Sequence, residues 1–297
     1  MLSICIPVYN YDMRRLMYDL NDQAVKANIP FEILLIDDAS LEEYRKINST
    51  INLLNFRYIQ LEDNIGRSKI RNKLAIEAKY TYLLYMDCDS GVPHENYIKN
   101  YINYCRPGIV CSGGRIYEEK KPDAKKYLRW KYGIEREAIS VSQRQQASNF
   151  GFESNNFLID RNIFYRVKFD ESLEGYGHED TFFGIQLLIE NISIEHIDNP
   201  LIHLGLEDAD VFLKKTENAV VNLDKMNEIL KSHYPQYANH SRLIKTKNRL
   251  DKTKLTFFVK FFFQIMQPKL RKILLGKNPS LFLLDIYKIG FFCFIRK

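Results

Sequence analysis

Two aspartates one residue apart, Asp87 and Asp89, stand directly after the apolar run 80–86. Such a pair can share one hard divalent cation, which keeps waters and takes phosphate oxygens as further ligands. A cation bridging a diphosphate would stabilise charge on a departing phosphate. A solvated turn is the plainer alternative, since Asp is a turn former, but a buried strand leading into the pair favours the metal. Asp37-Asp38 closes a second apolar run. A carboxylate there could accept hydrogen bonds from a ribose hydroxyl or a base N–H, or could equally cap the next helix. Asn64-Ile65-Gly66-Arg67-Ser68, continuing to Arg71-Asn72, opens a helix. Its unpaired N–H groups, its dipole and three cations (Arg67, Lys69, Arg71) suit a diphosphate, although an exposed basic face has the same pattern. Glu179-Asp180 follows Gly175-Tyr176-Gly177-His178. A partly desolvated carboxylate there could take a proton from a hydroxyl, or could serve only as the acidic first turn of a helix. His203 follows Leu201-Ile202; a neutral imidazole is a frequent metal ligand, yet a lone His beside a core is more often merely hydrogen-bonded.

These groups need a scaffold that brings them together. Residues 2–8 form an apolar, β-branched run ending at Tyr9-Asn10, and Met13, Leu16, Met17, Leu20 and Ala24 then recur at helical spacing. Strands are expected at 31–36, 56–60 and 80–86, with a helix from Gly66 whose apolar face is Ile70, Leu74 and Ala78. Alternating strands and helices imply a parallel sheet covered on both faces, and ligands bind at the carboxyl ends of its strands. Three of those ends carry Tyr9-Asn10, Asp37-Asp38 and Asp87-Cys88-Asp89. Further on, 108–116 reads as a strand with a Gly113-Gly114 turn and 117–148 as a long charged loop with a short helix over the crevice. A strand and helix follow in 152–170, then a helix at 181–190 and a last strand at 192–204.

The 297 residues suffice for one large α/β domain with an appendage. The five cysteines are odd in number and none are paired as C-x-x-C, which argues against a disulfide framework or a zinc knuckle. The apolar start lacks a basic region and a cleavage site, so it reads as a strand and not as a signal peptide; a cytoplasmic protein is expected. The net charge of +6 hides a division. Residues 240–297 hold 14 Lys and Arg against two Asp, so they carry +12 and residues 1–239 carry −6. A basic end of this kind points to an anionic partner.

Four stretches together carry a family likeness: Ser3-Ile4-Cys5-Ile6-Pro7-Val8-Tyr9-Asn10, the run from Glu32 to Ser40 through Asp37-Asp38, Asn64-x-Gly66 to Arg71-Asn72, and Tyr85-Met86-Asp87-Cys88-Asp89. In order and spacing the chain resembles family 2 glycosyltransferases of the GT-A fold. The stretch from Phe169 through Gly175-Tyr176-Gly177-His178-Glu179-Asp180 to Gly184 resembles the carboxyl half of galactosyl- and N-acetylgalactosaminyltransferase-type enzymes. The resemblance implies an inverting transfer from a nucleotide sugar, with UDP the expected nucleotide, to a hydroxyl of a saccharide or lipid-linked glycan. It implies Asp180 as general base and Glu179 as a holder of donor or acceptor sugar. It places Pro7, Tyr9, Asp37, Asp38, Asn64, Gly66, Arg71 and Asp87 around the donor, with Asp38 near uracil or ribose. A divalent cation, Mn²⁺ or Mg²⁺, would sit on Asp87, Asp89 and His203. The likeness covers about residues 2–210. Rival readings are a nucleotidyltransferase, which would release pyrophosphate and not need Asp180; a non-catalytic nucleotide-sugar-binding protein; and transfer to a polyprenyl phosphate, which needs no base.

The expected organisation is therefore a GT-A domain over 1–215 and a helical, basic, Phe-rich tail over 216–297. The apolar runs 255–266 and 281–295 are shorter than the ~20 residues of a spanning helix and are interrupted by Lys260, Asp285 and Lys288. Apolar faces among Lys and Arg suit a helix lying on an anionic membrane, or one packed back on the protein. The tail contains no recognisable nucleic-acid module. A peripheral enzyme of surface-polysaccharide assembly, on the inner face of a bacterial membrane, is the setting that tail and family together suggest.

Overall fold

The computed structural model describes residues 1–295; the final two residues of the basic tail, 296 and 297, lie outside the described residues. The chain divides into two compact units, one built from 1–118, 137–174 and 179–205, the other from 119–136, 175–178 and 206–297.

In the first unit β1 (Leu2–Val8) leads to α1 (Arg14–Lys26), β2 (Phe31–Asp37), α2 (Glu42–Ser49), β3 (Phe56–Gln60), α3 (Arg67–Glu77) and β4 (Tyr82–Met86). There follow β5 (Ser90–Gly91), α4 (Tyr97–Ile102), β6 (Val110–Ser112) and β7 (Arg115–Ile116). The chain leaves this unit through α5 (Tyr127–Tyr132) and returns with α6 (Val141–Ala147), β8 (Asn156–Asp160), α7 (Arg161–Val167), α8 (Glu179–Ile189), β9 (Glu195–His196) and β10 (Leu201–His203).

The main sheet runs β3-β2-β1-β4-β8-β6-β9. Its left half, β3 to β4, is parallel, and β8 enters antiparallel between β4 and β6. β2 is buried at all seven positions and β1 at all but Pro7, the unbroken apolar run of a strand covered on both faces. Side-chain alternation divides the core. Ile4, Ile6, Ile33 and Leu35 pack with Leu16, Met17 and Leu20 of α1 and with Tyr97 and Tyr101 of α4. Cys5, Leu34, Ile36 and Tyr85 pack on the opposite side with Ile70 and Leu74 of α3, Phe164 of α7 and Phe183 of α8.

Two expectations change. The region 117–148 is largely helical: α5, a π-helical turn at Gly133–Glu137, and α6, which begins with a Ser140–Gln143 capping box. The expected last strand at 192–204 is two short strands, β9 and β10. Asp198-Asn199-Pro200 separates them, and Pro200 has no N–H to give a ladder. β10 joins β5 and β7 in a second small sheet, antiparallel to β5 with His203 opposite Ser90, and parallel to β7 with Leu201 opposite Arg115.

The second unit adds α9 (Ala209–His233), α10 (Arg242–Lys252), α11 (Thr256–Leu274) and α12 (Leu281–Ile295) to α5. Its core joins Leu128, Phe212, Leu213, Phe263, Leu274 and Tyr287.

Candidate active site

The ends of β1, β2 and β4 and the start of α3 enclose one crevice, lined by Pro7, Tyr9, Asp38, Arg67, Arg71, Asp87 and Asp89 among others. The two aspartates after β2 divide their work by the alternation of the strand. Asp37 is fully buried; it accepts the Ser40 N–H at 2.7 Å and the Tyr58 hydroxyl at 2.6 Å. It thus holds the turn and is not among the residues that line the crevice: the last residue of β2 points into the protein. Asp38 faces the crevice. Its two oxygens accept the N–H groups of Ile65 at 2.7 Å and Gly66 at 3.1 Å, and Asn64 Nδ2 donates to its carbonyl at 2.9 Å. Burial raises its carboxyl above the usual value, against the pull of those two N–H groups. Asn64 and Gly66 therefore shape the loop under Asp38. Gly66 has φ 83° at the N-cap of α3, a conformation a side chain would strain.

Arg71, 2% exposed, donates to Asp87 Oδ1 at 2.7 Å, and Tyr85 holds the Arg71 carbonyl at 2.9 Å. A guanidinium taken out of water needs a carboxylate beside it, so one oxygen of Asp87 is taken. Asp89 is differently placed. Its Oδ2 lies 3.5 Å from His203 Nδ1, while its Oδ1 is buried with no hydrogen-bond partner. Burial would raise its carboxyl, yet the His203 hydrogen bond, with Arg115 and Arg67 farther off, brings it down to about 2. The Leu204 N–H bonds the Asp89 carbonyl at 2.8 Å, and a Cβ on Gly205 would lie 2.0 Å from Asp89 Oδ2; glycine there lets the chain close over the carboxylate. Among the described residues no three His, Cys, Asp or Glu side chains are gathered as a metal cage. Of the expected trio, Asp89 and His203 stand 3.5 Å apart, and Asp87 has one oxygen on Arg71. The orphaned Asp89 Oδ1 and the outer oxygen of Asp87 nevertheless fit a hard cation that takes its remaining ligands from phosphate and water.

Arg67 links this crevice to the acidic pair. Its Nε donates to Glu179 Oε1, and the Glu179 side chain is 5% exposed. Burial opposes the charge of Glu179, but Arg67 and then Arg71 hold its carboxyl at about 2. Glu179 is thereby paired with an arginine that lines the crevice. The neighbouring Asp180 is only partly buried and accepts the Thr181 N–H at 2.6 Å. Burial, then the charges of Glu179 and Glu153, push its carboxyl up to about 7.

The sequence pattern of glycosyl transferase family 2 matches residues 3–173, which take in the crevice and every strand of the main sheet but β9. The chain belongs to glycosyl transferase family 2. No curated protein matches this glycosyltransferase in sequence. Among solved structures it is similar to the mannosyltransferase PcManGT from Pyrobaculum calidifontis in complex with GDP-Man and Mn²⁺, with a TM-score of 0.52 and 14% identity, over 75% of this chain and 63% of that one. It is also similar to residues 1–349 of TarS from S. aureus, with a TM-score of 0.51 and 16% identity, over 98% of this chain and 89% of that one. The same TarS fragment in complex with UDP matches at a TM-score of 0.51. Identities this low speak to the fold alone.

Four further residues of this glycosyltransferase reach the site unannounced by the sequence. Arg115 on β7 pairs with Glu137 at 3.2 Å and Glu153 at 3.1 Å, Tyr117 hydrogen-bonds Glu137, and the Tyr117 ring meets His203 edge-on at 5.3 Å between centroids. This chain of contacts runs from His203 to Glu153, whose negative charge acts on Asp180. The double glycine before Arg115 was its only local signal.

Proposed function

We propose that this family 2 glycosyltransferase transfers a sugar, with inversion, from a nucleoside diphosphate sugar to a hydroxyl of a saccharide or lipid-linked glycan. The observation that supports this reading is the Arg67–Glu179 pair, which holds the acidic turn to a residue lining the crevice; on this reading Asp180, next in the chain, serves the acceptor beside the donor. Asp38, with Tyr9 and Pro7, is suited to hold the nucleoside, and Arg67 faces the same crevice as a cation for phosphate. Asp180 takes the acceptor proton; the acceptor oxygen bonds to the anomeric carbon as the bond to the diphosphate breaks, and the electron pair leaves with the nucleoside diphosphate. A carboxyl near pH 7 suits a base working in neutral solution. Asp89, with Asp87, would hold Mn²⁺ or Mg²⁺, which when bound offsets charge on the diphosphate. The mannosyltransferase bound to GDP-Man and Mn²⁺ and the TarS fragment bound to UDP are two proteins of this fold with such ligands, and uridine is the base we favour. We place the reaction beside the inner face of a membrane, in polysaccharide assembly.

The test is release of nucleoside diphosphate from a panel of nucleotide sugars, with Mn²⁺ or with EDTA, for wild type, Asp89→Ala and Asp180→Asn. Metal-dependent release from one donor, abolished in Asp89→Ala, supports the reading and identifies the sugar. Release of pyrophosphate from a nucleoside triphosphate and a sugar phosphate would overturn it in favour of nucleotidyl transfer.

A further inference from the structure

Helix α11 is apolar on two opposite sides. Phe263, Leu270 and Leu274 are buried in the helical unit. Phe257, Phe258, Phe261, Phe262 and Ile265 lie between 51 and 71% exposed. Two residues' advance turns a helix by about 200°, so Phe261 and Ile265 point directly away from Phe263. Surface phenylalanines scattered singly call for no explanation, whereas four with Ile265 on one helix face form a patch that has to be covered.

The surroundings of the patch are cationic. α10 runs into α11 through the short turn at 253–255 and exposes Arg242, Lys245, Arg249 and Lys252. Among the described residues the two acids of this segment are already engaged: Asp251 by Lys247 at 2.7 Å and Asp285 by Arg136 at 3.1 Å. Lys269 and Lys272 then extend the outer side of α11 beyond the phenylalanines. No helix of the described residues is long and apolar enough to cross a membrane.

We infer that the outer face of α11 is the surface by which the protein lies on an anionic lipid bilayer, the phenylalanines entering the acyl boundary and the α10 cations meeting the phosphate headgroups. This rests on the membrane setting proposed above and identifies the residues that make the contact. A helix with one exposed apolar face and flanking Lys and Arg, not apolar enough to span, has the composition of one lying in the interface. A second copy of the chain is the poorer occupant. A two-fold contact places the same patch on itself, so it would oppose two ends that each carry an excess of positive charge. Anionic headgroups neutralise that charge.

The experiment is flotation of the full chain with vesicles of phosphatidylcholine alone and of equal parts phosphatidylcholine and phosphatidylglycerol. Wild type should float with the mixed vesicles and much less with the neutral ones. Phe257→Ser/Phe261→Ser should weaken binding at least about 100-fold, from the lost transfer of two phenyl groups. Lys245→Gln/Arg249→Gln/Lys252→Gln should weaken binding to the mixed vesicles about 100-fold and leave neutral vesicles unaffected. Helicity by circular dichroism confirms that each variant folds. Donor hydrolysis by the same samples without lipid reads the transferase proposal separately, so loss of one result does not imply loss of the other. Wild type that fails to float, or a Phe variant that floats as well as wild type, overturns the inference. So does a lipid-free dimer that the Phe variant splits, which would assign the face to a second copy.

Discussion

If Asp180 is the base, the rate must follow its ionisation. Its carboxyl is pushed to about 7 from an ordinary 3.8, by burial first and then by Glu179 and Glu153. One unit below that value about a tenth of the molecules hold an ionised base, and one unit above about nine-tenths do. The release of nucleoside diphosphate at saturating donor, metal and acceptor should therefore rise about tenfold per pH unit below about 7 and level off above about 8. Glu153→Gln removes one of the negative charges pressing on Asp180, so the acid limb should move to lower pH, each unit of movement standing for about 1.4 kcal/mol. Asp180→Asn should abolish the limb and lower the plateau by about 10²- to 10⁴-fold. Stability responds with opposite signs at the two neighbours. Asp180 has a raised folded value, so its contribution is complete below about 4 and is lost as pH rises through about 7. Glu179 is held at about 2, so its contribution is present above its ordinary 4.5 and is lost as pH falls through that range. A flat rate profile, an acid limb near 4, or a limb that Glu153→Gln moves upward would refute the assignment of the base.

Three substitutions probe the scaffold. Arg67→Gln leaves the buried Glu179 carboxylate with Arg71 as its remaining cation; discounted for the part-exposed guanidinium, the cost is about 2 kcal/mol in urea unfolding at neutral pH, narrowing as acid neutralises Glu179. Gly205→Ala drives a methyl into Asp89, so metal-dependent release should collapse and stability should fall by about 1–3 kcal/mol. Gly66→Ala meets no atom within 4 Å but must hold φ 83°, so thermal unfolding should show a loss of about 1–2 kcal/mol from backbone strain alone.

The scaffold was legible where one physical cause dominated. Leu16, Met17 and Leu20 of α1 are all buried as their spacing requires, and β1 and β2 could hardly be anything but covered strands. What escaped reading depended on tertiary pairing. Asp37 and Asp38 are the same residue type at one strand end, and only the direction of each side chain separates a turn anchor from a crevice group. Arg71 reads as one cation of a basic helix face, yet it is almost fully buried, its guanidinium on Asp87 and its carbonyl accepting from the Tyr85 hydroxyl. Arg115, Glu137 and Glu153 come from three separate segments with no common spacing. The Phe-rich run at 255–266 does not say which rings are buried, and only the fold shows that Phe263 is enclosed while Phe261 is exposed.

The placement of β8 also sets the order in which the chain can be completed. β4 ends at Met86, but the strand that covers its free side begins at Asn156, opposite Met86 itself. A nascent or truncated chain ending before that point holds β1 to β4 with an open apolar edge, Tyr82 to Met86, available to any strand that arrives first. Fragments cut within 87–155 should therefore aggregate, and refolding of the whole protein should be slowed by the long loop that must close before the centre of its sheet is filled.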